Sequence, residues 1–115
     1  MASGVAQLAW YATGFRGDDL EAALQKLAPI SLRYGATRYE VLRFREDRYR
    51  FHMNIEFERK ESWDAFWFGP EFTDMRVSCS SWYTVPLLYV WADSVSRGAL
   101  RGEEAEVLVG DDEAA

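Results

Sequence analysis

The stretch TRYEVLRFREDRYRFHMNIEFERKESWDAFW, residues 37–67, decides the fold. From Arg48 to Glu58 it alternates strictly. Tyr49, Phe51, Met53, Ile55 and Phe57 fall on one side, and Arg50, His52, Asn54, Glu56 and Glu58 on the other. Side chains of a strand point alternately to opposite faces, so this run reads as a strand with one greasy and one polar face. Thr37 to Arg45 reads as the strand before it, with Tyr39 and Val41 on one face and Leu42 and Phe44 on the other. The charged turn Glu46-Asp47 joins the two as a hairpin. A helix starting at or just before Ser62 follows. Its Trp63, Phe66 and Trp67 stand at i, i+3 and i+4, which puts three rings on one side.

Toward the N-terminus, Val5 to Thr13 is apolar and reads as a first strand. The adjacent rings of Trp10 and Tyr11 predict cover on both of its faces. Asp18 or Asp19 is the predicted helix cap, because a short carboxylate accepts from the free N–H groups of a first turn. Leu20, Ala23, Leu24 and Leu27 then form one apolar stripe. Pro29 ends or kinks that helix, and Gly35 stops it.

Toward the C-terminus, Gly69 is placed to cap a new helical segment with Pro70 as its first residue. Phe72, Met75, Arg76 and Cys79 continue at helical spacing. Val85 to Val95 reads as a last long strand, Glu106 to Val109 as a short extra one, and Asp111 to Ala115 as a solvated acidic tail. The order strand, helix, strand, strand, helix, strand is the ferredoxin-like α+β pattern, with an antiparallel sheet and helices on one face. The other face needs cover. A second copy of the same sheet supplies it, which predicts a homodimer in the form of a dimeric α+β barrel. Residues 1–98 are expected to form this domain and residues 99–115 an acidic extension.

The totals limit the partners. The chain has 115 residues and a net charge of -6, which disfavours nucleic acid and anionic membranes as partners. Its single cysteine, Cys79, forms neither an internal disulfide nor a cysteine-based zinc site, so a reducing, cytoplasmic setting is the default. No secretory leader or bilayer-length apolar run is read. The sequence holds no Gly-rich phosphate loop, His-Glu metal motif or nucleophile elbow, and the expectation is no cofactor and no metal.

Arg38-Tyr39-Glu40-Val41, Arg50-Phe51, Ser62-Trp63-Asp64-Ala65-Phe66 and Gly69-Pro70-Glu71-Phe72 together resemble the antibiotic-biosynthesis-monooxygenase-like members of the dimeric α+β barrel superfamily. The resemblance implies two sheets facing one another in a homodimer, with a pocket between sheet and helices in each subunit. Cofactor-independent oxygenation of polycyclic aromatics is one activity of that superfamily, and haem degradation is another. Haem-degrading members carry an Asn on the first strand, then a Trp and a later His on the second helix. Here Gln7 or Trp10, Phe66 or Trp67, and Arg76 stand at those places, so haem ligation of that kind is not expected.

His52 is the only histidine, and an imidazole near its neutral point serves as a general base. Glu56, on the same face, is the candidate to orient it. Trp10, Trp63, Phe66 and Trp67 are candidate walls for a flat apolar substrate, with Trp91 beside them and Phe72 near the pocket mouth. Tyr11, Tyr39 and Tyr89 are candidate donors to an enolate or oxyanion. The structural readings stand beside these. The polar row can simply line a sheet–sheet interface, and rings at helical spacing are ordinary core. The leading functional expectation is therefore a small-molecule-binding protein of the cofactor-independent monooxygenase type acting on an apolar aromatic. The alternative is a non-catalytic dimerising or interaction module.

Overall fold

The computed structural model describes residues 3–102 and 104–109. Its elements run β1 (Gly4–Tyr11), α1 (Gly17–Leu27), a 3-10 segment (Ala28–Tyr34), β2 (Ala36–Arg43), β3 (Arg50–Phe57), α2 (Lys60–Trp67), α3 (Pro70–Ser78), β4 (Tyr89–Ala92), β5 (Arg97–Arg101) and β6 (Glu104–Val109). The first four strands form one antiparallel sheet in the order β2-β3-β1-β4. This is the ferredoxin-like α+β fold, with its second helix broken in two. β5 and β6 pair with each other as a separate two-stranded sheet, and β5 spans residue 98, where the expected domain boundary falls. The acidic tail lies outside the described residues.

The alternation of β3 has a direct structural outcome. Phe51, Met53, Ile55 and Phe57 are buried, while His52, Asn54 and Glu56 are partly exposed on the opposite face. On β1, Ala6, Leu8 and Trp10 join the buried face. Leu20, Leu24 and Leu27 of α1, Trp63 and Phe66 of α2, and Phe72 of α3 close over it. The apolar surface removed from water in this single layer is the main stabilising term of the fold. The 3-10 segment ends at Gly35, whose φ of 102° is a left-handed conformation that glycine adopts without a Cβ penalty. Gly69 caps α3 and Pro70 opens it, as the dipeptide predicts.

Three expectations need correction. Neither Asp18 nor Asp19 caps α1, whose first residue is Gly17 and whose cap position is Arg16. Asp18 instead accepts a bond from Arg43 Nη1 at 2.9 Å, and Asp19 one from Arg16 at 2.8 Å. The β2–β3 turn is wider than two residues. Arg50 N–H donates to Asp47 O and Phe44 N–H to Arg50 O, so Phe44 to Tyr49 form a loop. The last strand does not span Val85–Val95. Trp82 to Thr84 hydrogen-bond beside the end of β1, the chain detours at Val85–Leu88, and regular pairing resumes only at Tyr89. Pro86 has no N–H to give a ladder, which is consistent with the detour. Trp10 is buried, and Tyr11, 43% exposed, stands on the face for which a second copy is the expected cover.

Candidate functional site

The open face of the sheet carries the polar row. Register sets its layout: His52 lies between Ala9 of β1 and Leu42 of β2, and Asn54 between Gln7 and Glu40. Glu56 lies between Val5 and Arg38. Two hollows occupy this face. The larger, about 430 Å³, is lined by Gln7, Ala9, Tyr11, His52, Thr84, Pro86, Leu88 and Val90. The smaller, about 130 Å³, is lined by Val5, Gln7, Arg38, Tyr39, Glu40, Asn54 and Glu56. Gln7 borders both.

His52 therefore sits beside a hollow with apolar walls, and Tyr11 brings a phenol to the same place. The Arg50 guanidinium lies 5.7 Å from the centre of the Tyr11 ring, a favourable cation–π contact. Glu56 is not brought to His52. It holds Arg38 at 3.2 Å and Arg97 at 3.3 Å, and it lines the other hollow, with Asn54 standing between the two residues in the row. Asn54 Oδ1 is buried without a hydrogen-bond partner among the described residues.

The ring cluster lies on the other side of the sheet. Trp63 touches Phe57, Phe66, Trp67, Phe72 and Tyr89, with ring centres 4.9–6.2 Å apart. Trp10 stacks on Phe72 and meets the edge of Tyr83. Trp10, Trp63 and Phe66 are at most 1% exposed. None of these three, nor Trp67, lines the two open-face hollows or the cavity between α1 and α3. They fill the layer between sheet and helices. Arg76, at the place of the helix histidine in the haem-degrading pattern, lays its guanidinium 4.0 Å from the centre of the Trp67 ring and donates to Trp67 O at 2.7 Å. Burial pulls its pKa below the ordinary arginine value. No cluster of three His, Cys, Asp or Glu side chains able to hold a metal occurs among the described residues.

The polar row lies on the open face, as the period of two predicts, while nothing local marks one wall of the larger hollow. Thr84, Pro86 and Leu88 reach it only because the chain detours before β4. Gln7, a polar residue within an apolar strand, was the available signal for the β1 side of the floor.

Comparison with known proteins bears on the fold. No family model and no curated protein matches the chain. Solved structures do. A proposed antibiotic biosynthesis monooxygenase from Nitrosomonas europaea superposes with a TM-score of 0.73 at 16% identity, covering 80% of this chain and 89% of that one. The fold is the one shared by antibiotic-biosynthesis-monooxygenase-like proteins. SnoaB, a cofactor-independent oxygenase from Streptomyces nogalater, gives a TM-score of 0.70 at 13% identity over 82% of this chain and 94% of its own. Rv0793 from Mycobacterium tuberculosis gives 0.73 at 10% identity over 84% and 98%. Identities this low carry the fold and no more. No helix among the described residues is long and apolar enough to cross a membrane.

Proposed function

We propose that the chain binds an apolar aromatic molecule in the hollow beside His52, works as a homodimer, and oxygenates that molecule without a cofactor. One observation carries the reading. The only imidazole stands at the edge of a hollow of about 430 Å³ whose other walls are mostly apolar. The likeness to SnoaB supports the reaction class.

In this scheme the substrate is a carbon acid, a methylene group between aryl rings that conjugate it with a ketone, as in anthrone. His52 removes one proton, and Tyr11 or Gln7 donates a hydrogen bond to the enolate oxygen that forms. The carbanion reduces dioxygen and bonds to it, and the resulting hydroperoxide loses water. In balance, both C–H bonds of the methylene break and a C=O bond forms at the same carbon. One atom of the dioxygen enters the product and the other leaves as water, so carbon is oxidised and oxygen reduced. The second copy roofs the hollow, and excluding water there strengthens each of these interactions.

Oxygen uptake and quinone absorbance with anthrone test it. The wild-type protein is expected to accelerate both. His52→Gln is expected to lose about 100-fold or more, the usual contribution of a general base. A wild-type rate equal to buffer, or an undiminished His52→Gln rate, overturns the reading. The packed layer between sheet and helices favours the second reading, a non-catalytic dimerising module. Native mass spectrometry showing a dimer that retains no anthrone, together with no oxygen uptake, would support that one.

A further inference from the structure

A third cavity lies on the helical side of the sheet, away from the open face, between α1 and α3. Its volume is about 390 Å³. Leu27, Ile30 and Met75 contribute apolar lining, and Cys79 and Trp82 are among the lining residues.

Three charged residues also line it: Asp19 and Lys26 of α1, and Glu71 of α3. They are not equivalent. Asp19 is already held by Arg16 at 2.8 Å, and the same guanidinium lies 5.4 Å from the centre of the Trp82 ring. Glu71 accepts a 2.6 Å hydrogen bond from the neutral Tyr34 hydroxyl and forms no ion pair among the described residues. That bond, with a smaller pull from Arg33, holds the Glu71 carboxyl below its ordinary range, so it stays ionised at neutral pH. Lys26 likewise forms no ion pair among the described residues.

The apolar lining therefore carries a carboxylate from α3 and an exposed ammonium from α1, neither held in an ion pair among the described residues. A neutral apolar ligand would use neither charge, and an amine or an acid would use one. We propose that the cavity binds a zwitterion with an apolar side chain, an amino acid of the phenylalanine type. Its ammonium group pairs with Glu71, its carboxylate with Lys26, and its ring lies on Leu27, Ile30 and Met75. This site is separate from the His52 hollow and does not depend on the oxygenase reading.

Cys79 is the only cysteine and reports occupancy. The experiment follows N-ethylmaleimide labelling of Cys79 by intact mass with L-phenylalanine, phenethylamine or 3-phenylpropionate present. Saturation-transfer NMR on the ligand ring protons gives a second readout that does not use the thiol. L-phenylalanine is expected to protect Cys79, with each single-charge analogue needing about tenfold more for equal protection, because each lacks one charge-assisted bond. Glu71→Gln is expected to weaken L-phenylalanine and phenethylamine about tenfold and leave 3-phenylpropionate unchanged. Lys26→Met is expected to do the reverse, and circular dichroism checks that both variants stay folded. Equal binding of all three ligands, no binding by NMR, or no change with Glu71→Gln overturns the proposal.

Discussion

The bond from the Tyr34 hydroxyl to Glu71 Oε1 joins the end of the 3-10 segment to the first turn of α3 at 2.6 Å. Its pH behaviour follows from both partners. The bond stabilises the carboxylate, which lowers the Glu71 pKa from its ordinary 4.5. The contribution to folding is therefore full above 4.5 and is lost as pH falls through the lowered value. The same bond raises the Tyr34 pKa from its ordinary 10.0. On the alkaline side the contribution is full below 10.0 and is lost as pH rises through the raised value. Tyr34→Phe removes the bond and keeps the ring, which packs 5.5 Å from Phe66. Urea midpoints should then separate the variant from wild type across the neutral range, with the variant less stable, and converge at both extremes. Equal midpoints at neutral pH would show that the bond contributes nothing.

At the scale of elements, the α2–α3 junction makes the sharpest prediction. A Cβ at Gly69 would stand 2.8 Å from the Ala65 carbonyl oxygen and 2.7 Å from the Tyr34 hydroxyl. Backbone φ at Gly69 is -72°, which any residue adopts, so the constraint is space alone. Gly69→Ala is expected to cost about 1–3 kcal/mol, the usual range for overpacking, read as a lower urea midpoint at unchanged slope.

The same junction shows what a sequence displays at this scale. Gly69-Pro70 marks its own boundary by local chemistry, and β3 marks its faces by a period of two. β4 marks neither. Val85, Leu88 and Val90 are apolar in the sequence yet 60%, 71% and 61% exposed, and a detour in the chain has no side-chain signature. The first turn of α1 was opaque for a related reason. Asp18 looks like a cap locally, but its partner Arg43 is 25 residues away and also bonds Glu21. The candidate site divides along the same line. The place of His52 on an open polar face is local and was legible. The diversion of Glu56 to Arg97 and the hollow wall at Pro86 and Leu88 depend on where distant chain returns, and no local pattern reports that.

For the whole molecule, the unequal faces of the sheet are the governing fact. One is sealed by three helices; the other leaves Tyr11, Leu42 and Val90 between 43% and 61% exposed around the polar row. A monomer with that surface in water keeps apolar area that a second sheet would remove, which is why the dimer belongs to the proposed function. Leu42 is the useful probe. It is 45% exposed, lies opposite His52 in the β2–β3 register, and points away from the core. Leu42→Glu would place a carboxylate in the proposed sheet–sheet contact without disturbing the monomer. Burying that charge without a partner costs about 2 kcal/mol or more, which raises the dimer dissociation constant by about 30-fold. Light scattering across a dilution series reads the shift. Oxygen uptake with anthrone, measured on the same samples, separates two roles for the second copy. If it roofs the His52 hollow, activity falls in step with the dimer fraction. If activity persists in the monomer, water exclusion by the partner is no part of the chemistry, and the hollow works as an open site.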